Sequence, residues 1–224
     1  MPQDPYEPYN RSMFRFNERV DAAVVKPVAQ VYQDVVPPLA RDGVRNFFTN
    51  LTEPWSLVNN VLQLKIQQAG ETSIRFGVNT IFGLGGLLDI ASELGIDRHP
   101  EDFGQTLGHY RVVTGPYLVL PLLGPSTLRD TLALGVDSAG SVVANVNDVA
   151  VRNTAYVLKG VQVRADLLRV GAVLDEASLD KYSFTRDAHM QRRRSELFDG
   201  NLPEDAAPPA AAGSASIDKP SPGK

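Results

Sequence analysis

Ser178-Leu179-Asp180-Lys181 fits the pattern S-x-x-K, which sets a lysine one helical turn from a serine whose hydroxyl it could activate. The companion motifs of such nucleophiles are missing, so Ser178 reads better as a helix N-cap. No G-x-S-x-G elbow occurs, and Gly83-Leu84-Gly85-Gly86 is followed by no Gly-Lys-Ser/Thr and preceded by no strand signal, which sets aside phosphate cradling by that loop. The histidines His99, His109 and His189 fall in no metal-ligand spacing. His99-Pro100-Glu101-Asp102 gathers possible ligands, but a loop ending in an N-cap carboxylate accounts for it as well. Glu101 and Asp102 are adjacent, so on a helix they point about 100° apart and cannot work as a facing acid and base. Arg192-Arg193-Arg194 is a basic run whose ordinary meaning is a solvated face, the other being contact with anionic headgroups or an acidic partner. Gly104 and Gly108 mark a place where backbone packs closely.

The elements that must position these residues are helical. Apolar residues recur at three and four spacings, and proline repeatedly stands where a first helical turn begins. The pattern predicts an opening helix from Pro8 through Val24, a restart at Pro27 to Val35, then helices over 39–48 and 55–64 opened by Pro38 and by Glu53-Pro54. A helix over 66–82 ends at Gly83, Gly85 and Gly86. Short turns follow at 87–94 and 102–108, then a helix from Ser126 toward Leu134, a core helix over 149–170, and a last helix over 179–198. Strand signals are scarce.

The chain carries 22 basic and 26 acidic side chains, a net charge of −4, and no clustered basic footprint for nucleic acid. With 43% hydrophobic residues it can bury a core, so disorder is excluded for its bulk. Cysteine is absent, which removes disulfides, thiolate catalysis and thiolate metal sites. The segment from Met1 to Pro5 shows neither a basic nor an apolar stretch, so no signal peptide is expected in the chain as it stands. Two uncharged stretches, 112–128 and 76–88, are interrupted by Gly and Pro and cannot be regular membrane-spanning helices. They suit a buried core or a membrane interface. Length and composition predict one folded unit over 1–200 and a disordered Pro/Ala-rich tail over 201–224.

Several blocks, in order along 4–190, together resemble the MlaA/VacJ family. Asp4-Pro5-Tyr6-Glu7-Pro8-Tyr9-Asn10-Arg11-Ser12-Met13-Phe14-Arg15-Phe16-Asn17 is similar to its opening D-P-x-E-x-x-N-R-x-M-x-x-F-N. Asn46-Phe47, Glu53-Pro54 and Val58-Asn59 follow, then Arg75-Phe76, Asn79 through Gly86, and Asp89. Phe103 through Tyr110, Gly115-Pro116-Tyr117, Leu120-Pro121, Gly124, Thr127 through Asp130, Asp180-Lys181-Tyr182 and Arg186-Asp187 complete the match. The resemblance implies an all-α lipoprotein, without enzymatic activity or cofactor, in the periplasmic leaflet of a Gram-negative outer membrane. It implies a ring around an amphipathic channel that removes mislocalised phospholipids from the outer leaflet, with trimeric porins and a periplasmic lipid carrier as partners. The lipobox cysteine is not in this chain, so lipidation refers to a precursor.

Moving a charged headgroup between leaflets needs polar lining beside apolar walls, with backbone groups satisfied inside the protein. The expected lipid pathway or gate is therefore Phe76, Phe82, Gly83, Gly85, Gly86, Leu87 and Leu88 with Tyr117, Leu118 and Leu120, the glycines forming a mobile hairpin. Tyr117 and Trp55 are expected at headgroup depth. Asn10, Arg11, Phe14, Asn17, Asn79, Asp89, Arg129 and Asp130 are expected to be structural, with Asn10, Arg11 and Asn17 holding the opening helix. The competing reading is a helical adaptor that binds a porin or another envelope protein without carrying lipid; a hydrolase lacks a nucleophile set.

Overall fold

Proline sets the first helices. It opens α1 (Glu7–Val20), α3 (Pro38–Asn50) and α4 (Glu53–Leu62) within their first two positions, where its missing N–H costs nothing. Pro27 acts differently from the expected restart: α1 passes through a π-helical turn, Asp21–Val25, and continues into α2 (Lys26–Val35) without a break. A proline ring crowds the carbonyl four residues back, and the wider turn before Pro27 gives it room. The structure, a computed structural model, describes residues 4–171 and 180–201. Ser178 and the expected tail from 202 onward lie outside the described residues.

The remaining elements are α5 (Ile66–Ile81), α6 (Ile90–Glu93), α7 (Phe103–His109), β1 (Tyr117–Leu120), β2 (Gly124–Thr127), α8 (Leu128–Gly140), α9 (Val149–Asp166) and α10 (Lys181–Leu197). Side chains of Asp89, Asp102, Thr127, Asp148 and Asp180 accept from first-turn N–H groups of α6, α7, α8, α9 and α10. The sequence predicts broken apolar loop over Tyr117–Leu123 and a helix from Ser126. Instead an antiparallel hairpin pairs Tyr117 with Thr127 and Leu120 with Gly124, and α8 starts two residues later. Gly124, at φ +81°, makes the turn that lets these strands meet.

The elements close on themselves. α1 packs on β1, β2 on α10, α10 on α7, α7 on α4, α4 on α5, α5 on α3, α3 on α9, and α9 on α2, which is continuous with α1. This circuit agrees with the ring-like expectation. Its burial is inverted: among the described residues eighteen buried side chains are polar or charged against ten hydrophobic ones, so packing is organised by hydrogen-bonded groups rather than an oily core. Large apolar residues such as Val31, Val35, Leu39, Ile81 and Leu132 face outward. The expected core helix over 149–170 is corrected in the same sense. In α9 only Gln162 and Ala165 are buried, while Val151, Val157 and Val163 stay exposed, because α2 and α3 cover one side only. No described helix is long and apolar enough to cross a membrane.

Candidate functional site

Asn10 and Asn17 lie two helical turns apart, about 10.5 Å along α1. Three strand residues span about 10 Å, so the two carboxamides meet β1 in register. Asn10 Nδ2 donates to the Tyr117 carbonyl at 3.0 Å and Asn10 Oδ1 accepts from the Val119 N–H at 2.8 Å. Asn17 repeats the pattern, donating to the Leu120 carbonyl at 2.9 Å and accepting from the Leu122 N–H at 2.7 Å. α1 thus serves β1 as a second strand made of side chains. Arg11 adds a fork to Asp180, at 2.7 and 3.2 Å, and stacks 4.4 Å from the Tyr182 ring centre.

Under this grip lies the hydrophobic cluster of Tyr117, Val119 and Tyr182, packed by Met13, Phe14 and Met190. Phe14 meets Tyr182 edge-on at 5.7 Å, and Tyr117 meets Tyr182 and His189 at 6.2 and 6.1 Å. Tyr117 is therefore packed inside the protein, 5% exposed, because hairpin pairing turns it and Val119 inward. Leu118 and Leu120 alternate to the other face and are half-buried. Burial, with Arg192 and Arg193 adding to it, pushes the His189 imidazole down to about 4. Trp55 is half-buried: it lies against Gly140, where a Cβ would come within 2.2 Å of its ring, and its indole N–H donates to Asp137 at 2.8 Å.

The glycine segment is tied down at both ends. Arg75 forks onto Asp89 at 2.9 and 3.1 Å, Asn79 donates to Asp89 at 2.9 Å, and Asn79 Oδ1 accepts from the Ala91 N–H at 2.8 Å. The N–H groups of Gly85 and Gly86 return to the carbonyls of Thr80 and Asn79, closing the end of α5. Gly83 serves close approach, since a Cβ there would lie 2.3 Å from the Leu88 carbonyl oxygen. The segment presents Phe82, Leu84, Leu87 and Leu88 outward, with Phe76 half-buried behind them on α5.

The basic run on α10 is corrected by Arg193, which points inward. Its guanidinium binds Asp102 at 2.7 and 3.1 Å, Asp130 at 2.9 Å and Glu196 at 3.1 Å, joining α7, α8 and α10. Burial raises both aspartates' pKa values, but the Arg193 bonds outweigh it and hold them below the ordinary carboxylate range. Gly104 and Gly108 do mark close packing, against the Arg193 and Arg129 guanidinium groups. Arg129 in turn ion-pairs with Asp130 at 3.0 Å. The other possible ligands disperse: His99 binds Glu71 at 2.6 Å, and Glu101 binds Lys65 and Gln63, each at 2.8 Å. Among the described residues no group of His, Cys, Asp and Glu could hold a metal.

Between α3 and α9 lies an apolar cavity of about 450 Å³, walled by Val44, Phe47, Phe48, Ala150, Val151, Thr154, Ala155 and Leu158. Leu87 of the glycine segment completes its lining. Of the expected pathway residues, Leu87 alone lines this cavity; Phe82 and Leu88 are exposed nearby in sequence, and Tyr117 belongs to the hairpin cluster. The Phe47-Phe48 pair and the apolar stripe of α9 were visible in the sequence, but nothing in it showed that the two helices leave space between them.

A polar-centred helical ring with an apolar exterior and an apolar cavity in its wall offers surfaces complementary to hydrocarbon. The family model described as MlaA lipoprotein matches residues 2–196, and the chain belongs to that family of lipoproteins, which are not enzymes. It is 39% identical over 215 residues to the intermembrane phospholipid transport system lipoprotein MlaA of Escherichia coli strain K12, covering 93% of this chain and 84% of that one. It is 35% identical over 214 residues to the protein of the same description in Haemophilus influenzae, covering 90% and 82%. A solved structure described as "Structural basis for maintenance of bacterial outer membrane lipid asymmetry" matches with TM-score 0.77 and 38% identity, over 89% of this chain and 100% of that chain.

Proposed function

We propose that this chain is a phospholipid conduit of the bacterial outer membrane, taking mislocalised phospholipid from the outer leaflet and passing it toward the periplasmic carrier of the same transport system. The observation that carries the reading is the apolar cavity between α3 and α9, bordered by Leu87 from a segment whose other large side chains, Phe82, Leu84 and Leu88, face outward. An acyl chain entering past those residues stays in apolar surroundings, while its headgroup can follow the hydrogen-bonding groups that organise the interior. The relatives' description as parts of an intermembrane phospholipid transport system supports it. The outward apolar residues suit a seat in the periplasmic leaflet, and trimeric porins are the proposed protein partners.

Mass spectrometry of lipids extracted from the membrane-purified chain tests this reading. Phospholipid should co-purify, and should be lost from a folded Ala155→Trp variant whose indole fills the cavity. A folded but lipid-free chain would favour an adaptor that docks on an envelope partner.

A further inference from the structure

Two cations near the start of α4 are matched by carboxylates. Arg75 is matched by Asp89 at 2.9 Å, and Arg98 by the buried Glu53 at 3.0 Å, with a second bond from Arg98 to Thr52 Oγ1 at 3.1 Å. Lys159 on α9 is half-buried, and its side chain has no ion pair or hydrogen bond among the described residues. Burial, together with the charge of nearby Arg98, pushes its ammonium below the ordinary lysine range. An uncompensated, half-desolvated cation is costly unless something anionic meets it.

Its place says what that anion is attached to. Lys159 follows Leu158 and lies one helical turn beyond Ala155, and both neighbours line the apolar cavity. Arg98 is held on Thr52, four residues past Phe48 of the opposite wall. A cation on the helix that walls an acyl-sized apolar groove, next in sequence to a lining residue, is complementary to a phosphate joined to a hydrocarbon chain. Resting on the conduit reading, we propose that Lys159, supported by Arg98, binds the phosphodiester of a phospholipid whose acyl chain lies between α3 and α9. The lipid then pauses there as a seated intermediate with both ends matched.

The test is a binding titration of the full chain in neutral detergent with lysophosphatidylglycerol and, separately, with a monoacylglycerol of the same acyl length. Lys159→Gln should weaken lysophosphatidylglycerol about tenfold, the size of one lost charge-assisted contact, and leave monoacylglycerol unchanged. Lys159→Arg should restore binding, and the wild-type preference for the phosphate-bearing lipid should shrink with added salt. Equal affinity of wild type and Lys159→Gln for lysophosphatidylglycerol, while Ala155→Trp removes binding, would overturn the phosphate assignment and leave the conduit standing. Failure of the folded wild type to bind either lipid would overturn both.

Discussion

Replacing Arg193 by methionine keeps most of its volume and removes the cation that joins three helices. Arg193 is about one tenth exposed and Asp130 is nearly as covered, at 13%, whereas Asp102 retains 37% of its side-chain surface. Removing one partner of a buried charge pair costs about 3–5 kcal/mol because the other charge stays buried. The exposure of Asp102 discounts its share, so a loss of about 3 kcal/mol at pH 7 is expected, read from urea unfolding followed by circular dichroism. The pH dependence separates charge from packing. In the wild type both carboxyls titrate below their unfolded values, so their contribution is present above about pH 4 and is lost as pH falls through the folded values. In Arg193→Met burial is opposed only by the Gln105 bonds at Asp102 and by Arg129 at Asp130, so both carboxyls should titrate higher than in the wild type and the deficit should narrow as pH drops from 7 toward 5. Arg193→Lys should recover part of the loss, since one ammonium cannot fork onto Asp102 and reach Asp130 at once. A deficit under about 1 kcal/mol, or one independent of pH, would refute the argument.

Asn10→Ala with Asn17→Ala removes four hydrogen bonds, three to β1 and one to the turn after it, and should speed amide exchange at Val119 and Leu122 at least about tenfold, with lipid flux altered; unchanged protection would show that the hairpin holds without α1. Gly83→Ala drives a Cβ into the carbonyls of Leu88 and Asn79 and should cost more than about 2 kcal/mol, whereas Gly77→Ala, with nothing within 4 Å, should gain up to about 1 kcal/mol by helix propensity. Thermal melts of both decide it. His189 is held neutral by burial with its pKa down to about 4, so stability should be greatest above pH 6.5 and fall by about 2 kcal/mol between pH 6.5 and 4. His189→Phe should flatten that window in a pH series of melts.

Much of the architecture was legible because it is written locally. The prolines at the starts of α1, α3 and α4, the glycines after α5, and Asp102 as a cap each act within one turn of their own position, and the helices fall within a few residues of the expected bounds. Family membership was legible for a related reason: the blocks from Asp4 to Asp187 are the residues that make the long-range grips, and their order survives in the chain whatever their distances. The hairpin was missed because its strands are four residues each and its second edge is supplied by Asn10 and Asn17, which are more than a hundred residues away.

The sequence by itself determined most of the helical segments, and that no metal or nucleophile site has its characteristic spacing. Tertiary structure alone decided which way each helix faces. It turned Arg193 inward because Asp102 and Asp130 converge there, buried Tyr117 because β1 pairs, and left α9 half bare because α2 and α3 reach one side of it. The cavity and the Lys159 side chain, unmatched among the described residues, belong to that second kind of information. A void and a missing partner are relations among distant residues, and no local pattern encodes a distance between helices that meet only after the ring has closed.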